Sequence, residues 1–264
     1  IALSLVGSEM CIRDSSNGEV AGAAMRGLRT DTNIDTISGL VFNAWGDRPI
    51  EGPYGVWFDG DWNKPRLDDP AIQKGLSDYA GLMQAGPSDI LSYNWNEAGN
   101  AFCNGQAAFF ADASLFGPWL ESDDCPISKD NTGYMALPPQ KKGGTSYTAN
   151  WQWGIGMGAN AQEKDAGWYF IQYMTNKSSE PKIGTYHGGA GRLSTWENDE
   201  YTSTLNPDYV SATLESMKTV RTSVVPVKDF NKYALEVMDV ILRIHAGESS
   251  EAATAEGNEN FKNM

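Results

Sequence analysis

The sequence predicts an α/β fold. Segments whose apolar residues recur at helical spacing alternate with short apolar runs of strand length, and proline, glycine and polar caps separate the two. With 264 residues, 41% of them hydrophobic and 20% charged, the chain can bury a substantial core in one large domain or two lobes.

Taken in order, Val20 to Ala24 predicts a short strand ending at the polar cluster Arg26-Gly27-Leu28-Arg29. Asp31 is placed to cap a helix in which Ile34, Ile37 and Val41 share one side. Gly46 to Pro65, rich in glycine, proline and aromatic residues, predicts loop or short strands. Asp69 ahead of Pro70 sets an N-cap before a first-turn proline, and Ile72, Leu76, Tyr79 and Met83 make the apolar stripe of the helix that follows. Asn94 and Glu97 have capping-box spacing before a helix through Phe102. Ala107 to Ala111 predicts a buried strand, and Tyr134 to Leu137 a second one stopped by Pro138-Pro139.

Asn160 and Glu163 repeat the capping-box spacing, ahead of a helix lined by Ala166, Tyr169, Phe170, Tyr173 and Met174. Tyr186 to Arg192 predicts a glycine-rich loop. Phe230, Tyr233, Val237, Val240, Ile241 and Ile244 keep helical spacing until Gly247, a C-terminal stop, and Ser249 to Phe261 predicts one last helix.

The beginning of the chain reads differently. Ile1 to Val6 is apolar but lacks a basic leader, and Glu9, Arg13 and Asp14 follow closely, which is not a secretory signal. Ser4 to Asp14 resembles a translated sequencing adapter, so residues 1–15 are expected to have no structural or functional role. The lack of a signal peptide then carries no information about location.

Acidic residues outnumber basic ones by 34 to 20, for a formal net charge of −14. That field repels nucleic acid and anionic lipid, so a nucleic-acid partner is not expected. No run is long and apolar enough to span a bilayer. Cys103 and Cys125 either join in a disulfide, worth roughly 3 kcal/mol on a chain-entropy estimate, or remain two separate thiols. Cysteine spacing and two histidines give no zinc site, and no cofactor is implied.

The chemistry concentrates between Tyr147 and Gly158, where Trp151 and Trp153 are followed by Gly154, Gly156 and Gly158. Flat indole faces beside a closely approachable backbone suit a ligand with both C–H and O–H surfaces, such as a sugar or polyol. If the stretch were a regular strand, the two indoles would face opposite ways, and Trp151 is the one expected to face a ligand. Asp112 can accept two hydroxyl hydrogens and Ser114 can add a bond, or both can cap a turn. Arg26 and Arg29 offer fixed donors to vicinal hydroxyls, or pair with the abundant acids. Trp45 and Trp57 either stack on a ligand or pack in the core. Asp59 with Asp61, and Asp123 with Asp124, are the carboxylate pairs available to a glycoside hydrolase, but their polar, loop-like surroundings offer no apolar pocket to raise a pKa.

From about Glu19 to the C-terminus the order of elements resembles the family 1 extracellular solute-binding proteins of ABC importers. Phe102-Cys-Asn-Gly-Gln-Ala-Ala-Phe-Phe110 is similar to that family's helix-to-strand passage, and Gly133-Tyr-Met-Ala-Leu-Pro-Pro139 to its strand ending in leucine-proline. Ala166-Gly-Trp-Tyr-Phe-Ile-Gln-Tyr-Met174 resembles the helix after its interlobe crossing, and Gly184 through Arg192 its glycine- and arginine-bearing loop. Gly22-Ala-Ala-Met-Arg-Gly-Leu-Arg29 and Trp151-Gln-Trp-Gly154 resemble the branch that binds mannitol, sorbitol and related polyols. His187-Gly-Gly-Ala190 departs from the many relatives that have proline before the arginine.

The resemblance implies a type II periplasmic-binding-protein-like fold, with two α/β lobes around a hinged cleft. It implies that residues 16–150 belong to the second lobe, 151–208 to a late segment of the first, and 209–264 to a helical return to the second. It also implies a fragment whose first lobe is incomplete. The function implied is capture of a small sugar or polyol by a non-enzymatic, monomeric periplasmic protein, or an extracellular membrane-tethered one in a single-membrane cell. Lobe closure would present the loaded protein to the membrane permease subunits. His187 can then bond a ligand hydroxyl or cap its loop, and Arg192 can contact ligand or brace the hinge. Three alternatives stand beside this one: a carbohydrate-active enzyme, an oligosaccharide-binding protein and a scaffold in which Trp151 only packs.

Overall fold

The computed structural model describes residues 20–187 and 189–264, without the side chains of Tyr186 and His187. The adapter-like segment 1–15 lies outside the described residues. In chain order the elements are β1 (Ala21–Ala24), a 3-10 turn (Asp31–Asn33), α1 (Ile34–Trp45), α2 (Pro70–Gln84), α3 (Trp95–Cys103), β2 (Ala107–Phe110) and α4 (Gly117–Leu120). There follow β3 (Thr148–Asn150), α5 (Lys164–Thr175), α6 (Glu180–His187), α7 (Leu193–Trp196), α8 (Asp199–Thr202), α9 (Pro207–Met217), β4 (Val220–Thr222), α10 (Phe230–His245) and α11 (Ser250–Lys262).

The chain divides into two contact units. The first comprises the described residues up to Asp112, Ala136–Trp151 and Glu215–Met264. The second comprises Ala113–Met135 and Gln152–Leu214. The sequence reading places its boundaries at 150 and 208 and keeps 113–135 with the neighbouring segments; here 113–135 groups with the second unit, because its aromatic side chains pack there.

In the first unit two parallel strand pairs sit with five helices, α1, α2, α3, α10 and α11. β1 runs beside β2 in the register Ala21↔Ala107 to Ala24↔Phe110, and β3 beside β4 from Thr148↔Val220 to Asn150↔Thr222. The helical core is the predicted one: Ile37, Val41, Ile72, Leu76, Tyr79 and Met83 are buried together with Val237, Val240 and Ile241 of α10. Burying such side chains contributes about 1.5–3 kcal/mol each. α1 and α2 cross closely enough that a Cβ on Gly75 would stand 2.6 Å from Val41 Cα. Asp69 caps α2 by accepting from the Ala71 N–H, and Pro70 occupies the first turn. Asn94 and Glu97 form their capping box, with the Asn94 N–H donating to Glu97 at 3.0 Å. α10 ends before Gly247, whose φ of +104° is open to glycine at little cost. Ser249 caps α11 through the Ala252 N–H.

The second unit is helical among its described residues, around an aromatic core. Trp196 meets Tyr201 edge-on at 5.6 Å and lies 5.8 Å from Tyr209, and Tyr134 packs against Tyr209 at 5.4 Å. The Trp196 indole N–H donates to the Ala190 carbonyl at 2.8 Å, which satisfies its one polar atom in that core.

Five local expectations are corrected. Asp31 begins a 3-10 turn instead of capping α1, whose N-cap is Asn33. Tyr134–Leu137 forms no strand, because the chain passes from one unit to the other between 135 and 136 and no ladder partner accompanies it. Asn160 does not cap α5: the helix starts at Lys164, and its N-cap residue, Glu163, makes no side-chain cap bond. The apolar stripe of α5 exists, but no residue of that helix is buried, so Tyr169, Phe170 and Tyr173 are exposed. Finally, the loop expected from Tyr186 begins only after α6 has run to His187.

Candidate functional site

Both strand pairs of the first unit deliver polar or aromatic side chains just past their carboxyl ends. Arg26 follows β1, Asp112 follows β2, Trp151 follows β3 and Ser223 follows β4. The outlet of parallel strands is where open α/β folds place ligands, since the loops there are free to carry chemistry.

Arg26 and Asp112 form a bidentate pair, Arg26 Nε donating to Asp112 Oδ2 at 2.7 Å and Nη2 to Oδ1. Their side chains are 2% and 1% exposed. Burial by itself would lower the Arg26 pKa, but the hydrogen bonds and charge of Asp112 outweigh it, and the net shift is upward. The backbone around Arg26 is fixed from three sides. Tyr79 Oη donates to the Arg26 carbonyl at 2.8 Å, Asn33 Nδ2 to the Leu28 carbonyl at 2.8 Å, and the Leu28 N–H to the Tyr93 carbonyl at 2.8 Å.

The guanidinium of Arg26 lies 4.3 Å from the ring centre of Trp95, the first residue of α3. Trp95 in turn lies 6.4 Å from Trp151, the planes tilted by 56°. Arginine, carboxylate and two indoles therefore make one continuous cluster, in which the ion pair braces the aromatic surface from below. Asp35, in the first turn of α1, completes it: Ser223 Oγ donates to Asp35 Oδ1 at 2.8 Å and stands 3.3 Å from the Asn150 carbonyl. Desolvation raises the Asp35 pKa against the lowering effects of the Ser223 hydrogen bond and the Arg26 charge, while Asp112 and Asp31 add to the rise.

Of the residues singled out from sequence, this cluster contains Arg26, Asp112 and Trp151. β3 stops at Asn150, so the strand geometry assumed for the two tryptophans does not apply. Trp151 is half-buried in the first unit, whereas Trp153 belongs to the second and is 77% exposed. Arg29 pairs with Asp239 (Nη2 to Oδ2, 2.7 Å) and is half-exposed. Trp45 is buried, its indole N–H on the Arg48 carbonyl at 3.0 Å and the Arg48 guanidinium 3.8 Å from its ring centre. Trp57 is buried in the same core.

In the second unit Ser114 is exposed, and Arg192 Nε and Nη2 donate to the Thr175 carbonyl at 3.1 and 2.6 Å. The side chain of His187 lies outside the described residues. Cys103 and Cys125 are both disulfide-bonded. Trp95, Asp35 and Ser223 escaped the sequence reading. Trp95 could have been noticed beside its capping asparagine, but an aspartate in a helix's first turn is ordinary and signals nothing.

Among the described residues there is no group of three or more metal-ligating side chains, and no helix is long and apolar enough to cross a membrane. Of the carboxylate pairs weighed for hydrolysis, Asp59 is ion-paired with Arg66 at 2.7 Å, and Asp123 sits on Lys129, whose hydrogen bond holds its pKa down. A general acid needs the opposite shift.

The sequence profile of bacterial extracellular solute-binding proteins matches residues 32–181, more than half of the chain. A mannitol-binding protein of Pseudomonas aeruginosa is 27% identical over 207 residues, which are 75% of this chain and 44% of that protein. Among solved structures, an ABC transporter solute-binding protein of Agrobacterium radiobacter K84 in complex with ribitol superposes with a TM-score of 0.79 at 19% identity, over 98% of this chain and 63% of that one. A second, from Agrobacterium vitis S4 with bound D-mannitol, gives 0.75 at 22% identity, over 99% and 64%. Maltose-bound MalE3 of T. maritima gives 0.79 at 18%, over 98% and 64%. The chain thus spans less than two thirds of the length of each. These likenesses assign the two-lobed α/β fold of type II periplasmic binding proteins. By the profile that runs through α1, α2, α3, β2, β3 and α5, the chain belongs to the bacterial extracellular solute-binding protein family.

Proposed function

We propose that this protein is the substrate-binding component of an ABC importer and captures a sugar or polyol without changing any bond in it. The observation that carries the proposal is the cluster at the strand outlets, where the Trp95–Trp151 surface adjoins Arg26, Asp112, Asp35 and Ser223. Indole faces match the C–H surface of a polyhydroxylated solute, and the polar groups match its hydroxyls. The similar proteins described as binding mannitol, ribitol and D-mannitol support the finer assignment to a polyol.

Capture proceeds by closure of two lobes over the solute, which excludes water from its hydrogen bonds and forms the surface met by the permease subunits. The setting is the periplasm, or the outer face of a single-membrane cell. Specificity arises because a buried donor or acceptor left unfilled by the wrong solute costs about 1–3 kcal/mol. Isothermal titration calorimetry against a panel of hexitols, pentitols, monosaccharides and maltose tests the proposal. Saturable binding without product is expected, weakened about two- to tenfold by Trp151→Ala. No heat with any member of the panel, or turnover of a glycoside, would refute it.

A further inference from the structure

Asp35 has a feature that its role in the fold does not use. It occupies the first turn of a 12-residue helix, where the N-terminal backbone dipoles favour a negative charge. It is not the cap of that helix, which is Asn33. Its Oδ1 accepts from Ser223, a fully buried side chain, and its Oδ2 meets no donor among the described residues. Arg26, the cation that would naturally neutralise it, is engaged bidentately by Asp112.

Ser223 also ties Asp35 to the ligand surface. The same Oγ that donates to Asp35 stands 3.3 Å from the carbonyl of Asn150, the residue before Trp151. An acceptor oxygen with no donor among the described residues is thereby linked, through Ser223, to the backbone carbonyl that precedes Trp151. A carboxylate in that position is acceptor-only when ionised and suits two neighbouring hydroxyls, each of which brings a hydrogen. The helix dipole and the Ser223 hydrogen bond supply only part of what its charge needs.

Resting on the proposed solute-binding function, we propose that Asp35 is a ligand-contacting residue that accepts hydroxyl hydrogens from the solute and restricts the site to neutral polyols. Ser223 is its positioning residue. The restriction follows from charge: among the described residues, Asp35 and Asp112, with Asp31 in electrostatic reach of Asp35, outnumber the guanidinium of Arg26, so a solute bearing its own carboxylate meets net repulsion. A hexitol fits; the corresponding aldonic acid, which has similar size and one anionic end, does not.

The test is calorimetric titration of the wild-type chain, Asp35→Asn and Ser223→Ala with D-mannitol and with D-mannonate. Wild type is expected to bind D-mannitol and not D-mannonate. Asp35→Asn is expected to lose about ten- to hundredfold in D-mannitol affinity, the worth of a hydrogen bond to a charged group, and to narrow the gap between the two solutes. Ser223→Ala is expected to lose less while keeping the preference for the neutral solute. Mannitol affinity of Asp35→Asn within threefold of wild type, or equal wild-type binding of both solutes, overturns the proposal. A wild type that binds D-mannitol or another sugar or polyol while Asp35→Asn is unaffected leaves the solute-binding function standing; a wild type that binds nothing in the panel removes that function itself. Should Asp35→Asn fail to fold, a crystal structure of the wild-type hexitol complex decides. An Asp35 oxygen is expected about 2.6–3.0 Å from a solute hydroxyl, and a solute with no hydroxyl there refutes the contact.

Discussion

Removing the Asp112 carboxylate while leaving Arg26 in place should destabilise the first unit more than any surface change in the chain. Arg26 would keep a guanidinium 2% exposed with its partner gone. Breaking a buried ion pair from one side costs about 3–5 kcal/mol, because the remaining charge has lost both water and counter-ion. Two neighbours soften the loss. The Trp95 face 4.3 Å away retains a cation–π attraction of about 0.5–2 kcal/mol, and Asp35 lies within electrostatic reach. Asp112→Ala is therefore expected to cost about 3 kcal/mol, read from urea unfolding of the wild-type and variant chains by tryptophan fluorescence. The control is Arg26→Met combined with Asp112→Leu, which removes both charges and keeps apolar volume. Such replacements are often neutral or stabilising, so the double variant should lie closer to wild type than Asp112→Ala does. A loss below about 1 kcal/mol for Asp112→Ala, or a double variant that costs the sum of its single changes, would refute a tightly coupled buried pair.

Gly75→Ala would set a Cβ 2.6 Å from Val41 Cα and 2.8 Å from its nitrogen, backbone atoms that cannot swing away. Despite alanine's better helix propensity, a net loss of about 1–3 kcal/mol is expected in chemical denaturation, while Gly154→Ala, with nothing within 4 Å, should be neutral. A neutral Gly75→Ala would contradict the close crossing of α1 and α2. Asp69 has a depressed pKa, set first by its hydrogen bond to Arg48 and also by the Ala71 N–H it caps. Its contribution is thus fully present above the ordinary aspartate pKa and is lost as pH falls through the lower folded value. Asp69→Ala should cost about 1 kcal/mol at pH 7 and progressively less as pH falls below the ordinary aspartate pKa; a cost that stays constant through the whole acid range would exclude an ionised cap.

Local chemistry was legible in the sequence wherever a short segment decides its own conformation. The Asn94/Glu97 capping box and the Asp69-Pro70 helix start depend on contacts within four residues, and both formed. The same spacing at Asn160 and Glu163 did not produce a cap, because a helix start needs the chain to arrive in the right direction as well as the right residues. The α5 stripe shows the converse limit. Periodicity proposes a buried face, but only another element can bury it, and in this chain Tyr169 and Tyr173 are exposed.

Composition, capping motifs and helical periodicity by themselves determined the α/β class, the five helices of the first unit and the aromatic residue at the end of β3. Only the tertiary structure decided what those residues do. Arg26 meets Asp112 across 86 positions of sequence and Asp35 meets Ser223 across 188. At such separations an ion pair or hydrogen bond is set by where strands end, not by the residues beside it. The carboxyl ends of β1, β2, β3 and β4 bring to one place an arginine, an aspartate, a tryptophan and a serine that the sequence keeps far apart.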